Sequence, residues 1–101
     1  MPPVEAGFWS SRLVAQAARP MCEGGEYVYA GWKDCRVWYV CTVNDRAFPV
    51  GSQRFFVDEA RAGGGRVVVR EISSGHAPML SRTRELVGIV MEGVEWFLKD
   101  L

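Results

Sequence analysis

Two short apolar runs dominate the pattern of this chain, VWYVCTV at 37–43 and RVVVREI at 66–72, each rich in valine or aromatics and each closed by turn residues. Runs of this length suit strands buried on both faces, where neither side of the pleat is left to water. Between them, PVGSQRFFVDEARA (49–62) puts Gln53, Phe56, Val57 and Ala60 on one helical face and Arg54, Asp58 and Arg61 on the other. Pro49 suits the opening of that helix, where a missing N–H costs nothing, and Gly63-Gly64-Gly65 ends it. A phosphate-cradling loop would follow a strand and open a helix; this glycine triplet follows a helix and opens a strand. Strand, crossover helix and strand form a β-α-β unit, which leaves the two strands parallel.

The remaining segments are less sharply patterned. RTRELVGIVMEGVEWFLKDL (82–101) predicts a last helix, with Leu86, Ile89, Val90, Val94, Phe97 and Leu101 on the stripe that packs against the sheet and Ser81 as its N-cap. Gly88 and Gly93 lower its helix propensity and are expected to permit close approach to a strand. Upstream, RLVAQAAR (12–19) has helical spacing, with Pro20 as its stop, and Gly24-Gly25 makes a turn. YVYAGW (27–32) fits a short strand or a helix start equally well. Phe8, Trp9, Tyr27, Tyr29 and Trp32 either line an apolar pocket or simply pack, the second being the commoner fate of such side chains.

Composition narrows the function classes. At 101 residues the chain is at most one small domain, and 49% hydrophobic with 24% charged residues describes a globular one. Twelve basic and twelve acidic residues cancel, so no field favours nucleic acid or an anionic membrane. The first twenty residues hold Glu5 and two early prolines where a leader needs basic residues and an apolar core, and a cytoplasmic protein is expected. Cys22, Cys35 and Cys41 are odd in number and lack CxxC spacing, which reads as reduced thiols. Cys41, inside a strand and without a basic neighbour in sequence, reads as a small core residue.

The candidate chemistry lies just past the two strands. Asn44-Asp45-Arg46 follows the first and Ser73-Ser74-Gly75-His76 the second, and His76 is the sole histidine of the chain. Taken alone, Asp45 is a turn former or helix cap and His76 an exposed imidazole. Taken together they stand at the carboxyl ends of neighbouring parallel strands, the edge where ligand sites of such sheets form. Gly75 is expected to let the backbone turn sharply and carry the imidazole over that edge. A carboxylate beside an imidazole is the orienting half of a nucleophile-base-acid triad.

The order and spacing of these residues resemble the C-terminal part of the α/β-hydrolase fold family, especially its small esterase-like members. The resemblance rests on Asp45-Arg46-Ala47-Phe48-Pro49 with Gln53, and on Ser74-Gly75-His76-Ala77-Pro78-Met79-Leu80-Ser81 with Glu85-Leu86, the two motifs 31 residues apart (76 − 45), and covers the chain from Trp32 onward. It implies a partial α/β-hydrolase fold over 32–101, with a short parallel sheet of two to three strands, a crossover helix and a C-terminal helix. Residues 1–31 would then be a variable, cap-like segment. It also implies that Asp45 and His76 are the acid and histidine of a Ser-Asp-His triad, that the substrate is a small apolar ester, and that neither cofactor nor metal is required. Thr83 departs from the family pattern, standing where many relatives have proline. The larger departure is the nucleophile elbow G-x-S-x-G, which nothing in residues 1–44 matches.

An Asp-His pair without a hydroxyl or thiol nucleophile is not an acyl-transfer catalyst. The chain therefore reads as the end of a larger or split hydrolase, silent alone, whose unpaired sheet edges call for self-association or a complementing N-terminal half. Two other readings share these residues: a non-catalytic interaction module, and a small lyase or isomerase that uses Asp45-His76 as an acid-base pair.

Overall fold

Valine at 67, 68 and 69 and the VWYV run at 37–40 favour extended backbone, and both become strands: β1 is Arg36–Thr42 and β2 is Arg66–Ile72. A computed structural model describes residues 2–99 and pairs these strands in parallel, with Arg36 opposite Arg66, Tyr39 opposite Val69 and Thr42 opposite Ile72. They form a two-stranded sheet, so the architecture is a small α/β arrangement. Numbered along the chain, the α-helices are α1 (Pro3–Ser10), α2 (Arg19–Cys22), α3 (Val50–Ala62), α4 (Pro78–Ser81) and α5 (Thr83–Leu98), with 3-10 turns at Gly25–Tyr27 and Gly31–Lys33. Two compact units result, Met1–Ala30 and Gly31–Leu101, and both strands lie in the second.

Alternation along β1 sends its side chains to two different helices. Val37 and Tyr39 join Phe56, Val57 and Ala60 of α3, while Trp38 and Val40 join Ile89, Gly93 and Phe97 of α5. The sheet is thus the middle of three layers. Among the described residues, the apolar side chains removed from water include Cys41 and Ile72, at the carboxyl-terminal half of the strands, Val57 of α3 and Pro78 of α4. Burial elsewhere is partial, and Phe55, Phe56, Val87, Val90, Met91 and Leu98 all stay exposed.

The crossover helix ends as its glycine triplet predicts. Gly64 adopts φ +96°, Gly65 N–H donates to the Ala60 carbonyl at 2.8 Å and Gly64 N–H to that of Arg61 at 3.1 Å, a Schellman arrangement that satisfies the last carbonyls of α3. Trp32 lies against this turn: a Cβ at Gly65 would stand 2.7 Å from both the Ala60 carbonyl oxygen and Trp32 Cε3. Trp32 therefore has a packing role. In α5 the two glycines differ. A Cβ at Gly93 would come 3.3 Å from the Trp38 ring, so close approach to the strand needs this glycine, whereas Gly88 has nothing within 4 Å.

Several local expectations are corrected. RLVAQAAR has no regular structure over 13–17; the N-terminal helix is instead α1, and Pro20 sits in the first turn of α2, where its fixed φ suits a helix start. YVYAGW is neither strand nor long helix, since 3-10 turns flank an irregular 28–30. Phe8 and Trp9 stack edge-to-face at 5.0 Å with Arg12 over the Phe8 ring at 4.8 Å; the side chain of Tyr27 lies outside the described residues. Ser81 closes α4, and Arg82 holds the cap position of α5 without a side-chain cap bond. On the α5 stripe Leu86, Ile89 and Phe97 are partly buried, Val90 and Val94 are exposed, and Leu101 lies outside the described residues. No helix among the described residues is long and apolar enough to cross a membrane.

The packing separates glycines that are needed from those that are not. Gly65→Ala is expected to lower the unfolding free energy by about 1–3 kcal/mol, because backbone and a bulky indole must both shift. Gly88→Ala should raise it by up to about 1 kcal/mol through helix propensity. Urea unfolding of both variants beside the parent chain checks the two signs.

Candidate active site

The site is built at the carboxyl ends of β1 and β2. After Thr42, β1 breaks into a turn in which Asp45 N–H donates to the Thr42 carbonyl at 3.2 Å. After Ile72, Ser74 N–H turns back onto the Ile72 carbonyl at 2.9 Å, a three-residue turn that redirects the chain without help from a left-handed glycine. Gly24 and Gly64 are the positive-φ glycines among the described residues, so Gly75 does not use the left-handed backbone that glycine alone favours. The two loops are tied together by Asn44 N–H donating to the Ser74 carbonyl at 3.1 Å.

That tie carries Asp45 and His76 to each other. Nδ1 of His76 lies 2.7 Å from Oδ2 of Asp45, across 31 residues of sequence. Their burial is opposite: 2% of the Asp45 side chain is exposed and 67% of the imidazole. Three further donors fix the carboxylate. Oδ1 accepts the N–H groups of Ala47 and Phe48, each at 2.8 Å, and Oδ2 accepts the Thr42 hydroxyl at 2.8 Å. Burial acts to raise the Asp45 pKa, but the donors Phe48, His76, Thr42 and Ala47 together outweigh it and bring the value down to about 2. Asp45 is thus an ionised acceptor clamped before the helix begins, and the ring nitrogen facing it is the one that carries hydrogen.

Gln53 is the residue whose role the sequence left undisclosed. It stands on the first turns of α3 with 1% exposure, and its carboxamide pairs with the backbone of Thr42 as a neighbouring strand would. Oε1 accepts Thr42 N–H at 3.0 Å, while Nε2 donates to the Thr42 carbonyl at 2.9 Å and to that of Phe48 at 2.8 Å. Tyr39 adds its hydroxyl to Oε1 at 3.2 Å. Gln53 thereby locks the end of β1 to α3 and holds in place the Thr42 hydroxyl that bonds Asp45. A helical face shared with Val57 marked Gln53 as inward-facing, but only coordinates disclose a carboxamide imitating backbone.

A groove of about 320 Å³ opens in front of the pair, with Thr42, Phe48, Pro78, Met79 and Leu86 among its walls. Its lining is mostly apolar, with His76, Asp45 and Gln53 at the polar end. Three hydroxyls near the site are already committed: Ser74 Oγ donates to the Gly75 carbonyl at 2.9 Å, Thr83 Oγ1 to that of Met79 at 2.8 Å, and Ser81 Oγ to that of Ala77 at 3.5 Å. Cys41 is buried under α3, and that burial, with Glu71 nearby, raises its pKa against the opposing pull of Arg54, which keeps the thiol protonated and inert. Among the described residues no three His, Cys, Asp or Glu side chains gather as a metal site.

Two measurements test this geometry. Gln53→Leu strands the buried N–H of Thr42, whose carbonyl keeps the Asp45 N–H, so the unfolding free energy is expected to fall by at least about 1–3 kcal/mol, the cost of one buried polar group left unpaired. Ser52→Ala, one position away, should stay within about 0.5 kcal/mol of the parent in the same denaturant series. The lowered Asp45 pKa makes stability depend on acid. Between about 2 and the ordinary 3.8 the unfolded chain holds a proton that the folded chain does not, so stability rises with pH through that window and is complete above it. Unfolding curves across this range should show that slope in the parent and a shallower one in Asp45→Asn.

Comparison with protein-family models, with curated proteins and with solved structures found no match to this chain.

Proposed function

We propose that this chain supplies the acid and the histidine of an ester-hydrolysing site of α/β-hydrolase type, the nucleophile coming from a complementing polypeptide segment. The observation that carries the reading is the 2.7 Å contact between His76 Nδ1 and a buried Asp45 carboxylate that three other donors hold still. In that arrangement Asp45 fixes the tautomer, leaving Nε2 of the exposed ring as the base. Nε2 takes the proton of an incoming hydroxyl as its oxygen attacks the ester carbonyl, and Asp45 stabilises the imidazolium. The proton then passes to the departing alkoxide as the ester C–O bond breaks, and water repeats the sequence on the acyl intermediate. The apolar groove suits a small, uncharged acyl or alcohol group. Ser74, Ser81 and Thr83 spend their hydroxyls on backbone carbonyls and Thr42 spends its own on Asp45, which supports a nucleophile from elsewhere.

Fluorophosphonate labelling of the native protein, recovered from its own cells through a tag at the chromosomal locus, tests this. A serine should be labelled either on the polypeptide that carries Asp45 and His76 or on one that co-purifies with it. His76→Ala should abolish labelling, and Asp45→Asn should slow ester turnover by about 10⁴-fold. Recovery of folded protein with no labelled serine, in a lysate where other serine hydrolases react, sinks the proposal.

A further inference from the structure

The two outer edges of the sheet are treated differently. In a parallel pair each residue turns its N–H and C=O to one side, and successive residues alternate. Val43 N–H reaches the Ile72 carbonyl at 3.1 Å, so the odd-numbered residues of β1 face β2 and the even-numbered ones face outward. On β2 the outward residues are then 67, 69 and 71. Their edge is guarded: Arg61 donates to the Val67 carbonyl through Nε at 3.2 Å and a terminal nitrogen at 2.8 Å, and Arg70 donates to the Val69 carbonyl at 3.1 Å. Glu71 is held by Arg54 at 3.1 Å. Charged side chains laid over an edge are the usual protection against a further strand.

Among the described residues the edge of β1 has no such guard. Gln53 occupies the outward groups of Thr42, which stops any added strand there. Trp38 and Val40 turn their N–H and C=O outward, and among the described residues nothing takes these groups. Charge is absent from 37–41, the stretch Val-Trp-Tyr-Val-Cys.

We infer that β1 is the interface of a symmetric dimer, two copies joining antiparallel about a twofold axis at Tyr39 to make a four-stranded sheet in the order β2-β1-β1-β2. This register uses the open edge completely. Trp38 of each copy exchanges both backbone bonds with Val40 of the other, giving four hydrogen bonds, and Tyr39 faces Tyr39 as a non-hydrogen-bonded pair. Past Trp38 each added strand bends away from the Gln53 carboxamide that covers Thr42, and Arg36 meets no like charge. The axis stands normal to the sheet and keeps both α5 helices on one face. There Val90 and Val94, exposed beside Trp38 and Val40, are brought toward their counterparts. The second copy's strand lies against Trp38, Tyr39 and Val40 and so fills that end of the groove, leaving the His76 end, with Thr42, Pro78 and Met79, open to substrate. The inference rests on the edges alone and stands apart from the proposed chemistry.

Sedimentation of the full chain, combined with residue-resolved amide exchange, tests it. A dimer is expected in which the Trp38 and Val40 amides exchange at least about tenfold slower than in the same chain diluted to monomer. Val40→Pro removes an outward N–H and leaves the bonds to β2 intact, so it should be monomeric with β2 still protected. Tyr39→Cys, in a chain also carrying Cys22→Ser and Cys35→Ser, should form an interchain disulfide, because the axis sets the two positions side by side. Three results overturn the inference: a monomer at every concentration, a dimer whose Trp38 and Val40 amides stay unprotected, or protection that does not change on dilution. Failure of Tyr39→Cys to cross-link in a chain that still sediments as a dimer overturns the register.

Discussion

The architecture of the second unit depends on one buried carboxylate. Asp45 accepts hydrogen bonds from the last residue of β1, from the two residues that lead into α3, and from the loop after β2. Three segments distant in sequence or direction converge on two oxygen atoms. A chain with so few buried apolar side chains in its described portion has little hydrophobic burial with which to fix such loops, so directional bonds to an ion take that role. The same bonds that order the turn hold the charge in place. Structure and chemistry at Asp45 therefore have a common cause, and the depressed pKa is its signature.

The parts that the sequence made legible are those where a single physical preference acts without competition. Valine-rich runs bounded by turns give strands, an amphipathic segment between them gives the crossover, and Gly64 at φ +96° gives the stop. The meeting of Asp45 and His76 followed from topology, because parallel strands bring their carboxyl ends to one edge. Residues 1–31 were poorly legible for the opposite reason: RLVAQAAR has helical spacing but too few apolar anchors to reward a helix, and the proline-led segments 3–10 and 19–22 took that conformation instead. Ser81 had the right residue type for a cap, but the helix begins one residue later than such a cap requires, at Thr83, with Arg82 in the cap position. Nor was Gln53 readable, since side-chain mimicry of a strand leaves no periodic trace.

Gln53 and Asp45 divide the labour at the end of β1. Gln53 satisfies the outward backbone of Thr42 and Asp45 its side-chain hydroxyl, so every polar group of this buried residue has a partner. The arrangement terminates the sheet at the site, since an added strand would have to displace the carboxamide. Below it, at Trp38 and Val40, no equivalent stop exists among the described residues. The sheet is closed to strands where the imidazole sits and open where the chain is uncharged.

The same logic explains why the two edges carry different side chains. Arg61 and Arg70 reach outward carbonyls of β2 because α3 and the strand itself place long cationic stems beside that edge, and Glu71 and Glu92 neutralise the surrounding charge through Arg54 and Arg70. On β1 the neighbouring positions are aromatic and aliphatic, and no guanidinium reaches the outward groups of Trp38 or Val40. An edge left bare in a small chain costs solubility unless something covers it. Covering it with a like edge satisfies four backbone groups in each copy and leaves the Asp45–His76 pair at the margin of a larger, continuous surface.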